Sequence, residues 1–349
     1  MLVKCWKPGG LGLHSLGWGE QPVEALAWQN GILRPELLPS GVRTSIVGAV
    51  IDPRGETAWV AMKEISKELQ EYDRAMPLPP EKLVSHSKTV LAGLARFHAF
   101  YEQPERQKSL EGMDWLLPLE NYLWRHAAII ASTLGKVPVG GASQDDSSDV
   151  ELDPDLVAFL EWLVPSVRVK FEELLIDRDG LVDLFTSLPK TLLHGDLDDR
   201  NIGLSWLPSG EGEVILIDWE WMGMGPAALD VAKIMIYLPL LCEPGSPCPE
   251  VCWSDELPDF YFENYRAAGG KQLDHDTWRH SYDLGLVAQA LSPLPWVGGS
   301  ILRTLDGKAP LPKLPGLPED VIRMVLNSAL QNMEHLMDRI VQAMYRCGF

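Results

Sequence analysis

Thr191-Leu192-Leu193-His194-Gly195-Asp196-Leu197-Asp198-Asp199-Arg200-Asn201, and shortly after it Val214-Ile215-Leu216-Ile217-Asp218-Trp219-Glu220, is the part of the chain on which the fold turns. Two short apolar runs read as strands. Each carries polar side chains at its end, a common way to bring a carboxylate into a cleft. Upstream, residues 1–62 read as β-rich. The apolar runs Leu2-Val3, Ile46 to Ile51 and Ala58 to Met62 are separated by turns such as Asp52-Pro53-Arg54-Gly55. One helix opens among them near Pro22, a residue suited to a first helical turn.

From residue 79 the pattern becomes helical. Leu83, Ser87, Val90, Leu91, Leu94, Phe97 and His98 keep a three-four spacing within 81–101. Further helices are expected at 119–133, 155–176 with a kink at Pro165, 226–241, 257–268, 276–291 and 319–346. The polar Gly/Ser/Asp-rich stretch 134–154 reads as a surface loop, and the Pro- and Gly-rich stretch 293–318 as an irregular connection. The expected architecture is α+β in two lobes. Residues 1–63 form a small β-containing lobe and 64–349 a large, mainly helical one.

Composition narrows the function. The chain has 349 residues, 46% of them hydrophobic, and a net charge of −19. That balance argues against binding nucleic acid or an anionic membrane, which demand clustered Lys and Arg. The most apolar segment, Ala227 to Leu241, is interrupted by Asp230 and Lys233, so no membrane span is expected. The first ten residues do not read as a signal peptide. Cys242, Cys248 and Cys252 lack the paired spacing of a zinc site and read as reduced thiols, which suits a cytoplasmic protein.

The string H-x-D-L-x-x-x-N, then an apolar strand ending in Asp, resembles the catalytic core of the kinase-like superfamily. In detail, H-G-D-L-x-x-x-N with I-D-W-E and a following G-x-G-P-x-x-x-D is similar to the aminoglycoside phosphotransferase and choline kinase branch. Gly195 stands where protein kinases carry an Arg, which points away from protein substrates. The resemblance implies a kinase-like two-lobed fold. It also implies an ATP- and Mg²⁺-dependent transfer of the γ-phosphate to a hydroxyl of a small molecule, an acceptor that can be cationic, aminoglycoside- or choline-like. Asp196 would accept the hydroxyl proton, and Asn201 and Asp218 would hold Mg²⁺. His194 would brace the loop, and Asp230 would hold it from the following helix.

The nucleotide end is implied less directly. Lys4, in Val3-Lys4-Cys5-Trp6, resembles the lysine that meets the phosphates. Glu24 resembles the helix acid that holds it, with Glu20 as the alternative. Backbone groups of Met62, Lys63 and Glu64 would meet the adenine edge. The two strands and loop that precede this lysine in the family have no room before Lys4, so the small lobe reads as truncated. The glycines from Gly9 to Gly19 follow the lysine and lack G-x-G-x-x-G, so they read as a connection rather than a phosphate cradle.

Acids and aromatics near the loop and on the later helices are the candidate acceptor contacts. Asp198 and Glu220 come first, then Asp199, Trp219, Trp221, Asp255, Glu256, Asp259, Tyr261, Tyr265, Asp283 and Trp296. Aromatic faces beside carboxylates would suit an ammonium group. Two other readings remain. Gly195 to Arg200 fits the G-D-x-x-D-R string of metallophosphoesterases, but the chain has neither the D-x-H nor the G-N-H that a two-metal site requires. A non-catalytic kinase-like protein that binds a nucleotide or another ligand is the alternative that the short small lobe motivates.

Overall fold

The computed structural model describes residues 1–7, 21–71, 78–121, 123, 130, 153–176, 178–238, 241–243, 248–252, 254–291, 294–312 and 318–349. The glycine-rich connection, Glu20, most of the expected helix at 119–133 and nearly all of the loop at 134–154 lie outside the described residues.

The small lobe is built on β1 (Leu2–Trp6), α1 (Val23–Gln29), β3 (Ile46–Ile51) and β4 (Ala58–Met62). The three strands form an antiparallel sheet in the order β1-β4-β3, with Lys4 opposite Val60. Ala58 and Val60 face inward while Trp59 is exposed, the period-two alternation of a one-sided sheet. Ala25 and Ala27 of α1 are fully buried. β2 (Val42–Thr44) leaves this sheet and runs parallel to β7 (Gly212–Leu216) in a second sheet, β2-β7-β6, with β6 at Ile202–Trp206. Residues 42–44 therefore tie the N-terminal part to the strand that precedes Asp218.

The large lobe is organised around α3 (Pro80–Tyr101), which starts with proline in its first turn. Its buried face includes Leu83, Val90, Leu91, Leu94, Phe97 and His98, the expected stripe. Strands β5 (Thr191–Leu193) and β8 (Gly223–Gly225) pair antiparallel beside it. The remaining helices described are α2 (Ser66–Gln70), α4 (Pro104–Leu110), α5 (Pro154–Trp162), α6 (Pro165–Ile176), α7 (Arg178–Thr186), α8 (Ala228–Tyr237), α9 (Glu256–Ala267), α10 (His275–Ala290), α11 (Leu294–Leu305) and α12 (Glu319–Cys347). Among the described residues, no helix is long and apolar enough to cross a membrane.

Two expectations need correction. Pro165 does not kink one helix but separates two: proline disfavours helical backbone at the residue before it, so the chain restarts with Pro165 in the first turn of α6. The stretch 293–318 is not irregular throughout, because it contains α11. The glycines that argued against a helix are there for close packing. A Cβ on Gly299 would collide with the Asp155 carbonyl oxygen of α5. Arg303 then bonds Asp155 at 2.6 Å and Trp296 donates to Asp153 at 3.0 Å, fixing α11 against the start of α5.

Candidate active site

β5 runs directly into the loop His194–Asn201, and the β6–β7 hairpin returns the chain to Asp218. One imidazole joins the two. His194 Nε2 lies 2.9 Å from the Ile217 carbonyl oxygen, and Nδ1 lies 3.2 Å from the Asp196 backbone N–H. A carbonyl can only accept, so Nε2 carries the hydrogen and Nδ1 accepts, as in a neutral imidazole. Burial pushes its pKa down, against the pull of Asp230 and Asp196. His194 thus braces the loop, with its one N–H committed to the Ile217 carbonyl.

Asp230, on α8 and 0% exposed, holds the same loop from below. Its Oδ1 accepts from the Gly195 N–H at 3.0 Å, and its Oδ2 from the His194 N–H at 2.8 Å and from His98 Nε2 at 3.3 Å. His98 in turn faces the Tyr261 hydroxyl at 2.8 Å. Burial alone would raise the Asp230 pKa, but His98 and the loop donors lower it below the ordinary carboxylate range. His98 was legible only as a member of the α3 stripe.

Gly195 has φ +82°, and a Cβ there would collide with the Trp221 carbonyl oxygen. The residue that distinguishes this loop from protein kinases is therefore required by the local backbone. Gly195→Ala should lose about 2–5 kcal/mol, summing left-handed strain and overpacking. The urea midpoint reads this, and an unchanged midpoint would contradict it.

Asp196 stands at the open side of the loop. Its Oδ1 is 2.5 Å from Lys233 Nζ, and its Oδ2 is 3.2 Å from Asn201 Nδ2, which also donates to the Asp196 carbonyl at 2.8 Å. Burial would raise the Asp196 pKa, but the Lys233 ammonium outweighs it and keeps the carboxyl below its usual range. Sequence reasoning missed Lys233 as a site residue. Its one signal was a lysine inside the most apolar run of the chain.

Lys4 and Glu24 come together at 3.0 Å, and Lys4 Nζ is also 2.8 Å from Asp218 Oδ1 and 2.5 Å from Glu220 Oε1. Glu24 is buried, and its other oxygen accepts from the Trp219 N–H at 3.2 Å, so α1 grips both the lysine and the chain after Asp218. Asp218 itself has φ +62°, a left-handed backbone that Asp tolerates better than most residues. Burial would lower the Lys4 pKa, yet Glu24 and Asp218 hold the ammonium charged, above the usual lysine range.

The donor set suits a hard cation. Both side-chain bonds of Asn201 use its amide nitrogen, which leaves its amide oxygen as a hard donor. Glu24, Asp218 and Glu220 each bring an oxygen within 4.8 Å of the others, and the Lys4 ammonium is bonded to all three. A carboxylate and an amide oxygen are the hard donors that Mg²⁺ takes.

Other nominated residues turn out to be engaged elsewhere. The Lys63 N–H donates to the Ser45 carbonyl at 2.7 Å, so that amide is not open to a base edge. The Glu64 carboxylate accepts from the N–H of Ser66, the first residue of α2, at 2.6 Å. Met62 closes β4 opposite Leu2 and Ile46. Asp198 is 2% exposed, accepting from the Arg200 N–H at 2.9 Å and bonding the Arg200 guanidinium. Asp255 and Asp259 pair with Arg279, Glu256 with Lys88, and Asp283 with Arg346. Tyr261 and Tyr265 are buried on His98 and Glu102. These acids do not form an open anionic pocket, because cations of the same chain neutralise them.

A model of the phosphotransferase enzyme family matches residues 66–280, more than half of the chain. In structure the chain is similar to an ethanolamine kinase of Plasmodium vivax, at 12% identity, covering 95% of this chain and 74% of that one, with a TM-score of 0.47. It is also similar to a choline/ethanolamine kinase family protein of Mesorhizobium loti, at 14% identity, 98% and 86% coverage and a TM-score of 0.44. An aminoglycoside phosphotransferase of Alicyclobacillus acidocaldarius aligns at 16% identity, 85% and 74% coverage and a TM-score of 0.38. No curated protein matches the chain in sequence.

Proposed function

The chain belongs to the phosphotransferase enzyme family, and on that premise we propose that it moves the γ-phosphate of ATP to a hydroxyl of a small molecule. One observation carries the reading: His194 ties the loop of Asp196 and Asn201 to the strand end of Asp218, where Lys4 is bonded. These bonds support a reading in which Asp196 is the base, Asn201 and Asp218 the oxygen ligands and Lys4 the phosphate lysine.

In this reading Lys4 exchanges Asp218 and Glu220 for nucleotide phosphate oxygens, and Glu24 keeps it in place. Asn201 and Asp218 hold Mg²⁺, which when bound neutralises phosphate charge. Asp196 accepts a hydrogen bond from the acceptor hydroxyl and takes its proton as the oxygen bonds to the γ-phosphorus and ADP leaves. The Asp196 carboxyl is held ionised at neutral pH, which suits orientation of the hydroxyl and late proton transfer. Asp198, Glu256, Asp259 and Asp283 are already paired, so these four offer no reason to prefer a cationic acceptor.

Lys4→Met tests the nucleotide end. Charge-assisted hydrogen bonds contribute about 1.5–3 kcal/mol, so calorimetry should show Mg·ATP binding weakened by about 10- to 100-fold. Binding equal to wild type would remove Lys4 from the phosphate site.

A further inference from the structure

Lys233 presents a buried cation that the reading above does not use. It lies one turn after Asp230 on α8, between Ala232 and Ile234, with its side chain 9% exposed. Its Nζ reaches the Asp196 carboxylate at 2.5 Å and the Gly195 carbonyl oxygen at 3.4 Å. Stability does not account for such a residue, since a buried ion pair commonly contributes no more than apolar side chains of the same volume. The loop's own basic residue does not serve Asp196: Arg200 is bonded to Asp198 with most of its side chain in solvent. Lys4 is held at Glu24, Asp218 and Glu220. Among the described residues, Lys233 is the lysine or arginine bonded to the Asp196 carboxylate.

We propose that Lys233 is a positioning residue for phosphoryl transfer, fixing the Asp196 carboxylate from α8 in the orientation that receives the acceptor hydroxyl. The proposal rests on the phosphotransferase reading. Asp196 is clamped at both oxygens, Oδ1 by Lys233 and Oδ2 by Asn201. With the first clamp gone, the single bond from Asn201 is left to hold the carboxylate against rotation about χ1 and χ2, while Lys4 and Asp218 are untouched. The loss therefore falls on turnover and spares nucleotide binding. Misplacement of a reacting group by about 1 Å can cost roughly 100-fold.

The experiment measures ADP release from Mg·ATP with the fastest acceptor from a panel of choline, ethanolamine, an amino sugar and neutral sugar alcohols. Wild type, Lys233→Ala and Lys233→Met are compared, with and without ethylammonium, alongside Mg·ATP calorimetry. The expected result is a kcat about 10- to 100-fold lower in both variants, with the Mg·ATP Kd within about twofold of wild type. Ethylammonium, filling the space left in Lys233→Ala, should restore several-fold of the loss and do nothing for Lys233→Met. A kcat within about twofold of wild type overturns the proposal. So does a loss that ethylammonium leaves unchanged and that is matched by a lower unfolding midpoint, which assigns Lys233 to the fold alone. Absence of acceptor-dependent ADP release in wild type is a different failure, because it removes the phosphotransferase reading and this proposal with it.

Discussion

Asp196→Asn should lower turnover by about 100- to 10,000-fold, the range spanned by a positioned general base, and leave Mg·ATP binding within a factor of a few. The amide keeps the shape of the side chain and offers an oxygen to Lys233, so the loop is not left with an unpaired buried cation. What it cannot do is take a proton from the acceptor hydroxyl. The proposed nucleotide contacts belong to other residues: Lys4 is held by Glu24 and Asp218, and Asn201 keeps its bond to the Asp196 backbone carbonyl. Steady-state kinetics and calorimetry on the same preparation separate the two effects. Turnover near wild type would show that Asp196 is not the base.

Asp230→Asn should be among the most destabilising single-atom changes in the protein. The carboxylate is fully buried and accepts from His194 N–H, Gly195 N–H and His98 Nε2. An amide has one oxygen, so its NH₂ must face at least one of these donors. Stranding buried donors around a lost charge costs about 3–5 kcal/mol. The urea midpoint should fall accordingly, and a midpoint unchanged from wild type would contradict this account of the loop. The pH dependence has a definite sign. The folded pKa of Asp230 is depressed, so its contribution is complete above the unfolded value near pH 4 and is lost as pH falls through the folded value. The stability gap between wild type and Asp230→Asn should stay constant from neutral pH to about pH 4 and narrow below it.

The loop and the two strands around it were legible because their chemistry is contiguous. His194, Asp196 and Asn201 lie within eight residues, and Asp218 ends the next apolar strand. Lys4 and Glu24 are separated by a stretch with no regular pattern, and only a family resemblance could nominate them. Helical periodicity located α3, α8, α9, α10 and α12, while α11 was hidden because glycine reads as a breaker when its true role is close approach to Asp155. Lys233 and His98 were invisible as site residues because their partners lie 37 and 132 residues away. The pairing of acids was hidden for the same reason: Asp283 is paired with Arg346, 63 residues on, and Asp259 with Arg279, 20 residues on. No spacing rule in the sequence announces such pairs.

The central claim is that this chain transfers phosphate to a small hydroxyl compound through Asp196. The direct measurement is phosphorylated product, detected by mass spectrometry, from Mg·ATP and the acceptor panel, with wild type and Asp196→Asn run in parallel. The account predicts product from at least one hydroxyl acceptor with wild type and a loss of at least about 100-fold with the variant. Mg·ATP binding with no phosphorylated product from any member of the panel would contradict it, and would leave a kinase-like protein that binds nucleotide without transferring it.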